Sequence, residues 1–312
     1  MYTKTTTETI PGKPILALAV MSIIWGYNWV VMKEALRFCD PFVFAALRSS
    51  LASVCLSGIL LLIKKKDARP RQVKWTVLLG ILSTTLGLGL PMWALVNGGA
   101  GKTAILLYTM PFWVIILAWP ILGERIRGFE WLAVALAFAG LTLIVDIGAV
   151  SVKLWSSVLA VISGIVWAGS AIVTRIMKQS PDFDLISVTT WQMIYGAGPL
   201  IMIAVFLPAP PIQWTPVFIA ALLYNVFFTS VVAFLLWFFI LERVQAGTAT
   251  MGTLVTPIIA IIAAAVQLGE IPSLYETCGI ILILLGICHL SVIAFLRIRR
   301  LENYIRNSQS ST

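Results

Sequence analysis

The chain has 312 residues, of which 60% are hydrophobic and only 11% charged. A water-soluble domain needs roughly a quarter of its residues charged to keep its surface wet, so a soluble globule is excluded and a bilayer must solvate much of the surface. The net charge of +9 would suit a nucleic-acid partner, but the placement of the basic residues along the chain points to a membrane surface and not to nucleic acid.

From the amino terminus onward, apolar stretches of about 18–24 residues recur, the length an α-helix needs to cross roughly 30 Å of hydrocarbon. They predict spans at 14–32, 42–63, 75–97, 104–122, 129–147, 154–174, 185–206, 214–240, 246–268 and 274–296. Helices are expected because the runs far exceed the alternating strand of about 9–11 residues that builds a membrane barrel. The first span follows Lys4 and Lys13 as a secretory signal would. It is too long for one, and Trp25, Tyr27, Asn28 and Trp29 stand where a small-residue cleavage site would lie, so a retained span is expected. The third and fourth spans are separated only by Asn97-Gly98-Gly99-Ala100-Gly101-Lys102. Cys39, Cys55, Cys278 and Cys288 lie in or beside apolar segments without metal-ligand spacing and read as packed hydrophobes.

With ten spans and a cytoplasmic amino terminus, the outer loops hold Lys33, Arg37, Lys102 and Lys153, and Arg48 falls inside a span. All the other Lys and Arg residues, among them Lys64, Lys65, Lys66, Arg175 and Arg297, then fall on the cytoplasmic side. This is the bias of the positive-inside rule, and it places both termini in the cytoplasm with the basic excess facing lipid head groups. Trp75, Trp119, Trp131, Trp155, Trp214 and Trp237 sit near span ends, as interface anchors do.

The chain also repeats itself. At an offset of 142, Trp25 falls on Trp167 and Lys33 on Arg175. At an offset of 146, Gly101 meets Gly247, Pro111 meets Pro257, Gly123-Glu124 meets Gly269-Glu270, Glu130 meets Glu276 and Gly140 meets Gly286. The halves, 14–147 and 154–296, would each hold five spans, between a tail at 1–13 and a basic tail at 297–312. Five is odd, so the second copy enters the membrane from the opposite side. The expected fold is therefore an all-α integral membrane protein of ten transmembrane helices arranged as two inverted five-helix repeats, a device that gives carriers two mirror-related states of similar energy.

Particular residues carry a family likeness over nearly the whole chain. They are Trp25-Gly26-Tyr27-Asn28-Trp29, Pro41 followed by Arg48, Tyr108-Thr109-Met110-Pro111 leading to Leu122-Gly123-Glu124-Arg125, and Pro257 leading to Leu268-Gly269-Glu270. In these the chain resembles the drug/metabolite transporter superfamily, specifically its EamA-type members. The resemblance implies a ten-helix inverted-repeat carrier with a central cavity, often an exporter of amino acids or other metabolites.

Trp25, Asn28, Trp29 and Met32 share one helical stripe, and their repeat partners Trp167, Ser170, Ala171 and Thr174 share another. Asn28 and Ser170 are either helix–helix glue, with Trp25 and Trp167 filling space, or parts of a cavity wall where indoles pack on the solute and the amide orients it. Tyr108, Trp113, Trp191, Gln192, Tyr195, Tyr224 and Asn225 add polar and aromatic groups at depth. The candidate substrate-binding set is Trp25, Asn28, Trp29, Tyr108, Trp167, Ser170, Gln192, Tyr224 and Asn225. It describes an aromatic, mostly uncharged cavity suited to small zwitterions or to organic cations. Arg48 either snorkels to the outer surface or stands near the outer mouth of a carboxylate pathway, with Asp40 or Glu270 as possible partners. Pro111 and Pro257, related by the repeat, are the candidate helix breaks or gates, and Pro91 a simple kink. Glu124 and Glu270 read as caps or ion-pair partners. His289, the only histidine, reads as packed or hydrogen-bonded, or else as a proton-coupling group.

No Asp or Glu lies at the middle of a predicted span, so no acidic proton relay is visible and simple facilitated movement stays open. Gly101-Lys102-Thr103 imitates the end of a phosphate loop, but Val96 stands where that loop needs a glycine. No protease or hydrolase motif and no metal-ligand cluster is present in the sequence. The expected function is export of amino acids or related metabolites across the cell membrane. The alternatives are export of organic cations or drugs, a channel-like facilitator, and, furthest off, an intramembrane enzyme. The expected partners are the bilayer and a small solute. No cofactor is expected, and the oligomeric state is open, a monomer included.

Overall fold

The computed structural model describes residues 12–64, 69–126, 128–145, 152–233, 236, 239–240 and 255–310, with side chains through Leu296. Its helices are α1 (Gly12–Ala35), α2 (Pro41–Lys64), α3 (Val73–Asn97), α4 (Ala100–Leu107), α5 (Met110–Leu122), α6 (Glu130–Ile144), α7 (Val152–Met177), α8 (Leu185–Phe206), α9 (Pro216–Val232), α10 (Val255–Leu268) and α11 (Leu274–Ser310). No strand is assigned among the described residues. Among the described residues, seven stretches are long and apolar enough to cross a membrane, with α4 and α5 counted together as Ala100–Leu122, and α6, α9 and α10 are shorter apolar helices. The predicted extents of those three spans run into residues outside the described set, as do Gly247, Arg243 and most of the 1–13 tail. The backbone of α11 continues helically past residue 296 through most of the predicted 297–312 tail.

The helices begin where the sequence supplies caps. The Asp40 carboxylate accepts from the Phe42 amide at 2.8 Å and opens α2, and Asp184 accepts from Ser187 at 3.1 Å to open α8. Ser273 and Glu276 exchange side-chain-to-amide bonds of 2.9 and 3.3 Å, a capping box at the start of α11. The ends of α5 and α10 are copies of each other. Gly123 (φ 70°) and Gly269 (φ 67°) adopt the left-handed conformation that favours glycine. The amides of Glu124 and Glu270 then return to the carbonyls of Ala118 and Ala264 at 3.3 and 3.2 Å.

Successive spans alternate in direction, with α4 and α5 forming one span. The connections 36–40, 98–99, 207–215 and 269–273 gather at one end of the bundle, shown by Gln213 N donating to Phe38 O at 2.9 Å and Glu270 accepting from Ala100 N at 2.9 Å. The segments 69–72, 123–126 and 178–184 gather at the other end, which we call the basic face. There Gln72 reaches Met177 O at 3.1 Å and Arg175 meets Glu124.

The two halves meet by reciprocal contacts. Trp25 Nε1 in α1 donates to Thr229 O in α9 at 3.3 Å, and Trp167 Nε1 in α7 donates to Gly87 O in α3 at 2.9 Å. In both pairs the corresponding residues stand 142 positions apart. Where α6 crosses α11, a Cβ at Gly140 would lie 2.6 Å from Gly279 O, and one at Gly286 would lie 3.0 Å from Ala133 O. These residues correspond at 146. Both α3 and α9 contain a π-helical segment, Gly80–Leu86 and Tyr224–Val232. A π turn leaves carbonyls off the regular ladder for side chains to use: Ser230 Oγ donates to Asn225 O at 2.9 Å.

Large apolar side chains such as Val54, Leu62, Phe206 and Val266 are 70–82% exposed, a surface that only lipid solvates favourably. Trp75, Trp119, Trp131, Trp155 and Trp214 are exposed, and Trp237 lies outside the described residues. Of the cysteines, Cys39 is buried, Cys278 and Cys288 are exposed, and all are free.

Candidate solute-binding site

The predicted α1 stripe faces α9 and α2. Thr229 Oγ1 donates to Asn28 Oδ1 at 3.2 Å, while the Trp25 indole takes the Thr229 carbonyl, so one residue of the π segment engages both. Tyr224 belongs to the same seam. Its hydroxyl donates to Ile24 O at 2.9 Å, and its ring stacks on Phe228 at 5.4 Å and meets Tyr27 edge-on at 6.0 Å. Tyr27 in turn donates to Gln267 Oε1 at 2.7 Å, tying α1 to α10. Trp29, Asn28's neighbour, is buried in the apolar cluster that joins α1 and α2 to α3, α4, α8, α9 and α10.

The second half reproduces the indole and not the amide. Trp167 mirrors Trp25, and Gly87 is glycine for a steric reason: a Cβ there would sit 3.0 Å from the Trp167 Nε1. Ser170 is buried but turns its hydroxyl back to Trp167 O at 2.8 Å, a bond within its own helix. Gln192, in α8, accepts from the hydroxyls of Ser83 and of Thr84 (3.4 Å) in the π segment of α3. Thr85 donates to Gly196 O at 2.7 Å alongside. Gly196 and Gly80 touch so closely that a Cβ on Gly196 would lie 2.3 Å from Gly80 O. Gln192 thus holds two helices together and stands apart from the α1–α9 seam.

Tyr108 lies in the two-residue turn that breaks the fourth span between α4 and α5, beside Thr256 of α10. Pro111 explains the break. It occupies the first turn of α5, where its missing amide costs nothing, and Phe112 N bonds Thr109 O at 3.0 Å. Pro257 occupies the matching place in the first described turn of α10.

Arg48 does not snorkel. It is 4% exposed, and among the described residues its Nη1 meets the Met32 thioether at 3.2 Å while Nε has no partner. Neither suggested partner reaches it: Asp40 caps α2, and Glu270 accepts from the amides of Ala100 (2.9 Å) and Gly101 (3.2 Å). Met32 belongs to the Trp25–Asn28 stripe, so Arg48 joins that site. Asn225, fully buried, donates through Nδ2 to Ala221 O at 3.0 Å and leaves Oδ1 unpartnered among the described residues. The structure therefore brings Trp25, Asn28, Tyr224, Asn225 and Arg48 onto one seam, with Trp29 behind it. Trp167, Ser170 and Gln192 stand on the mirrored seam. Thr229, at the hub, escaped the sequence reading, as did its repeat counterpart Gly87. His289 Nε2 lies 3.0 Å from Phe129 O near the basic face, away from both seams.

The profile of the EamA-like transporter family matches this sequence twice, over residues 12–146 and 154–292. The chain belongs to the EamA-like transporter family. Similar EamA-like or other transporters include YoaV of Bacillus subtilis, an uncharacterized transporter, 25% identical over 280 residues, which cover 88% of this chain and 95% of that one. A "probable amino-acid metabolite efflux pump" of Salmonella typhimurium is 26% identical over 91% of this chain and 96% of its own. The inner membrane transporter YedA of Escherichia coli K12 is 25% identical over 83% and 84%. A crystal structure of another protein superposes with a TM-score of 0.64 over 93% of this chain and 99% of its own, at 16% identity, a likeness of fold alone. This EamA protein is thus a multi-pass membrane transporter, of a kind that is generally not enzymatic.

Proposed function

We propose that this transporter is an alternating-access carrier of ten spans that exports small metabolites, amino acids or related compounds among them, across the cell membrane, with the basic face and both termini cytoplasmic. The observation that carries the reading is the reciprocal pair of indole bonds, Trp25 to Thr229 O and Trp167 to Gly87 O. Each ties the first helix of one half to the third helix of the other, and each lands on or next to a π segment. Two equivalent seams that open in turn are what an inverted repeat needs to present one site to two sides. The name of the Salmonella relative, an amino-acid metabolite efflux pump, supports the choice of amino-acid metabolites. A buried cationic Arg48 on the seam weighs against organic cations as cargo.

The test is counterflow in proteoliposomes. A carrier saturates and exchanges labelled for unlabelled solute, a channel does neither at comparable concentrations, and an enzyme alters the solute. Trp25→Ala and Asn28→Ala should each cut exchange about tenfold or more, as expected when a partner in a buried hydrogen bond is removed, while the protein still inserts. Unchanged exchange in both would remove the α1 seam from the pathway.

A further inference from the structure

We propose that Arg48 and Asn225 form the recognition pair for a zwitterion: the guanidinium takes the solute's carboxylate and the Asn225 amide oxygen takes its ammonium. This rests on the carrier reading above and names the class of solute.

Register places the two groups together. Phe38 O accepts from Gln213 N where α1 ends and α9 is about to begin, so the helices run antiparallel. The bond between Asn28 and Thr229 fixes their alignment further along. One turn from Asn28 toward the α1 carboxyl end is Met32, which Arg48 touches. One turn from Thr229 toward the α9 amino end is Asn225. Tyr224, beside Asn225, reaches Tyr27 and Ile24, so Asn225 lies level with Tyr27 and Asn28, and Met32 stands about one to two helical turns of 5.4 Å further along the seam. α2 descends beside α9 from the same end, as the contact of Phe44 with Phe218 at 6.0 Å shows.

What meets along that stretch of the seam is chemically complementary to a zwitterion. Arg48 carries five N–H donors on a permanent charge, and a thioether is a poor acceptor for any of them. Stranding such a charge in a dry interior costs several kcal/mol unless an anion completes it. The nearby carboxylates are committed elsewhere: Glu34 to Arg37 at 3.0 Å, Asp40 to the start of α2, Glu270 to the start of α4. The planar fork matches a carboxylate in bidentate fashion. Asn225 offers the converse, a buried oxygen with no donor among the described residues. The half-buried Trp25 and Tyr224 rings, one to two turns away on the seam, would border the side chain.

The experiment compares L-amino acids with their carboxamides, which keep the ammonium and lose the negative charge. Exchange is measured in proteoliposomes, and binding by the thermal shift of the purified full chain. The wild type should prefer the acid by about tenfold or more. Arg48→Gln should reduce that ratio to near one, Arg48→Lys should keep part of it, and Asn225→Leu should erase the preference for an amino acid over its des-amino acid. If Arg48 serves packing alone, or simply pairs with Asn225, its variants move the melting temperature and leave the acid-to-amide ratio intact, which overturns the proposal. Should Arg48→Gln fail to fold, the ratios of the wild type and of Arg48→Lys decide. If amino acids and amides exchange equally, or only solutes without a carboxylate exchange, the zwitterion inference falls while the carrier stands. If no solute of any class exchanges, both fall.

Discussion

Glu124 and Arg175 meet directly at the basic face, through bonds of 3.0 and 2.6 Å between side chains about half exposed. Their repeat counterparts at the opposite face, Glu270 and Lys33, form no ion pair. Lys33 Nζ caps the end of α3 instead, donating to Leu95 O and to Gly98 O at 2.9 Å, while Glu270 accepts from the first amides of α4. Between them they clamp the 97–101 turn from both sides, and Lys102 adds a 2.9 Å pair to Glu276 across the halves. One sequence pattern thus appears in two arrangements within a single conformation. The two copies of the repeat are therefore asymmetric at these carboxylates. The opposite face adds charge-assisted bonds to backbone beside its Lys102–Glu276 pair, whereas the basic face shows solvated ion pairs that contribute about 0–1 kcal/mol each.

The largest effect should follow from undoing the clamp. Glu270→Ala strips the acceptor from two amides at the head of α4, and bonds to a charged group contribute about 1.5–3 kcal/mol. The thermal unfolding temperature in detergent should fall, and the Ala100 and Gly101 amides should exchange with deuterium markedly faster. Unchanged protection at those amides would mean the turn is held by packing, and the contrast between the faces would lose its basis.

Next comes the indole pair. Trp25→Phe and Trp167→Phe each delete one bond between the halves while keeping most of the ring, an expected loss of about 0.5–1.5 kcal/mol apiece. If the seams are equivalent, the two losses should be similar in a denaturation series. Trp25→Phe should slow exchange more, because its seam also carries Asn28 and Arg48. Equal transport defects would spread the site over both seams.

Much of this fold was legible in the residues. Leu-Gly-Glu recurring at one offset announced two identical helix ends, because a left-handed C-cap leaves glycine as the favoured choice. The Pro111 break was legible for the same reason, as proline suits a first turn and little else in a helix. Side-chain periodicity placed Trp25, Asn28 and Met32 on one face. It could not say which helix that face meets, so Thr229 went unseen. The same limit hid the partners of Gln192, Ser83 and Thr84, which lie in another span. The π segments gave no signal, since the hydrophobic pattern of a buried helix barely changes when one turn widens. Arg48 was readable as an intramembrane charge, but whether it snorkels depends on the helices around it.

The smallest effect tests the basic face. Glu124→Gln removes one charge from the Arg175 pair. Arg71→Ala removes the partner of Asp182, where the side chains are 60% and 47% exposed. Each should change stability by no more than about 1 kcal/mol, and the change should shrink further at high salt because solvent-exposed pairs are screened. Glu124→Gln should nevertheless alter transport more than Arg71→Ala. Glu124 is the repeat counterpart of a residue that clamps a helix start, and closing the basic face in the manner of the opposite one would require it to leave Arg175 for backbone amides. Single-turnover exchange from preloaded vesicles separates the two cases. Slower turnover with unchanged half-saturation in Glu124→Gln marks a gate, whereas matching behaviour of the two variants would reduce the pair to surface charge.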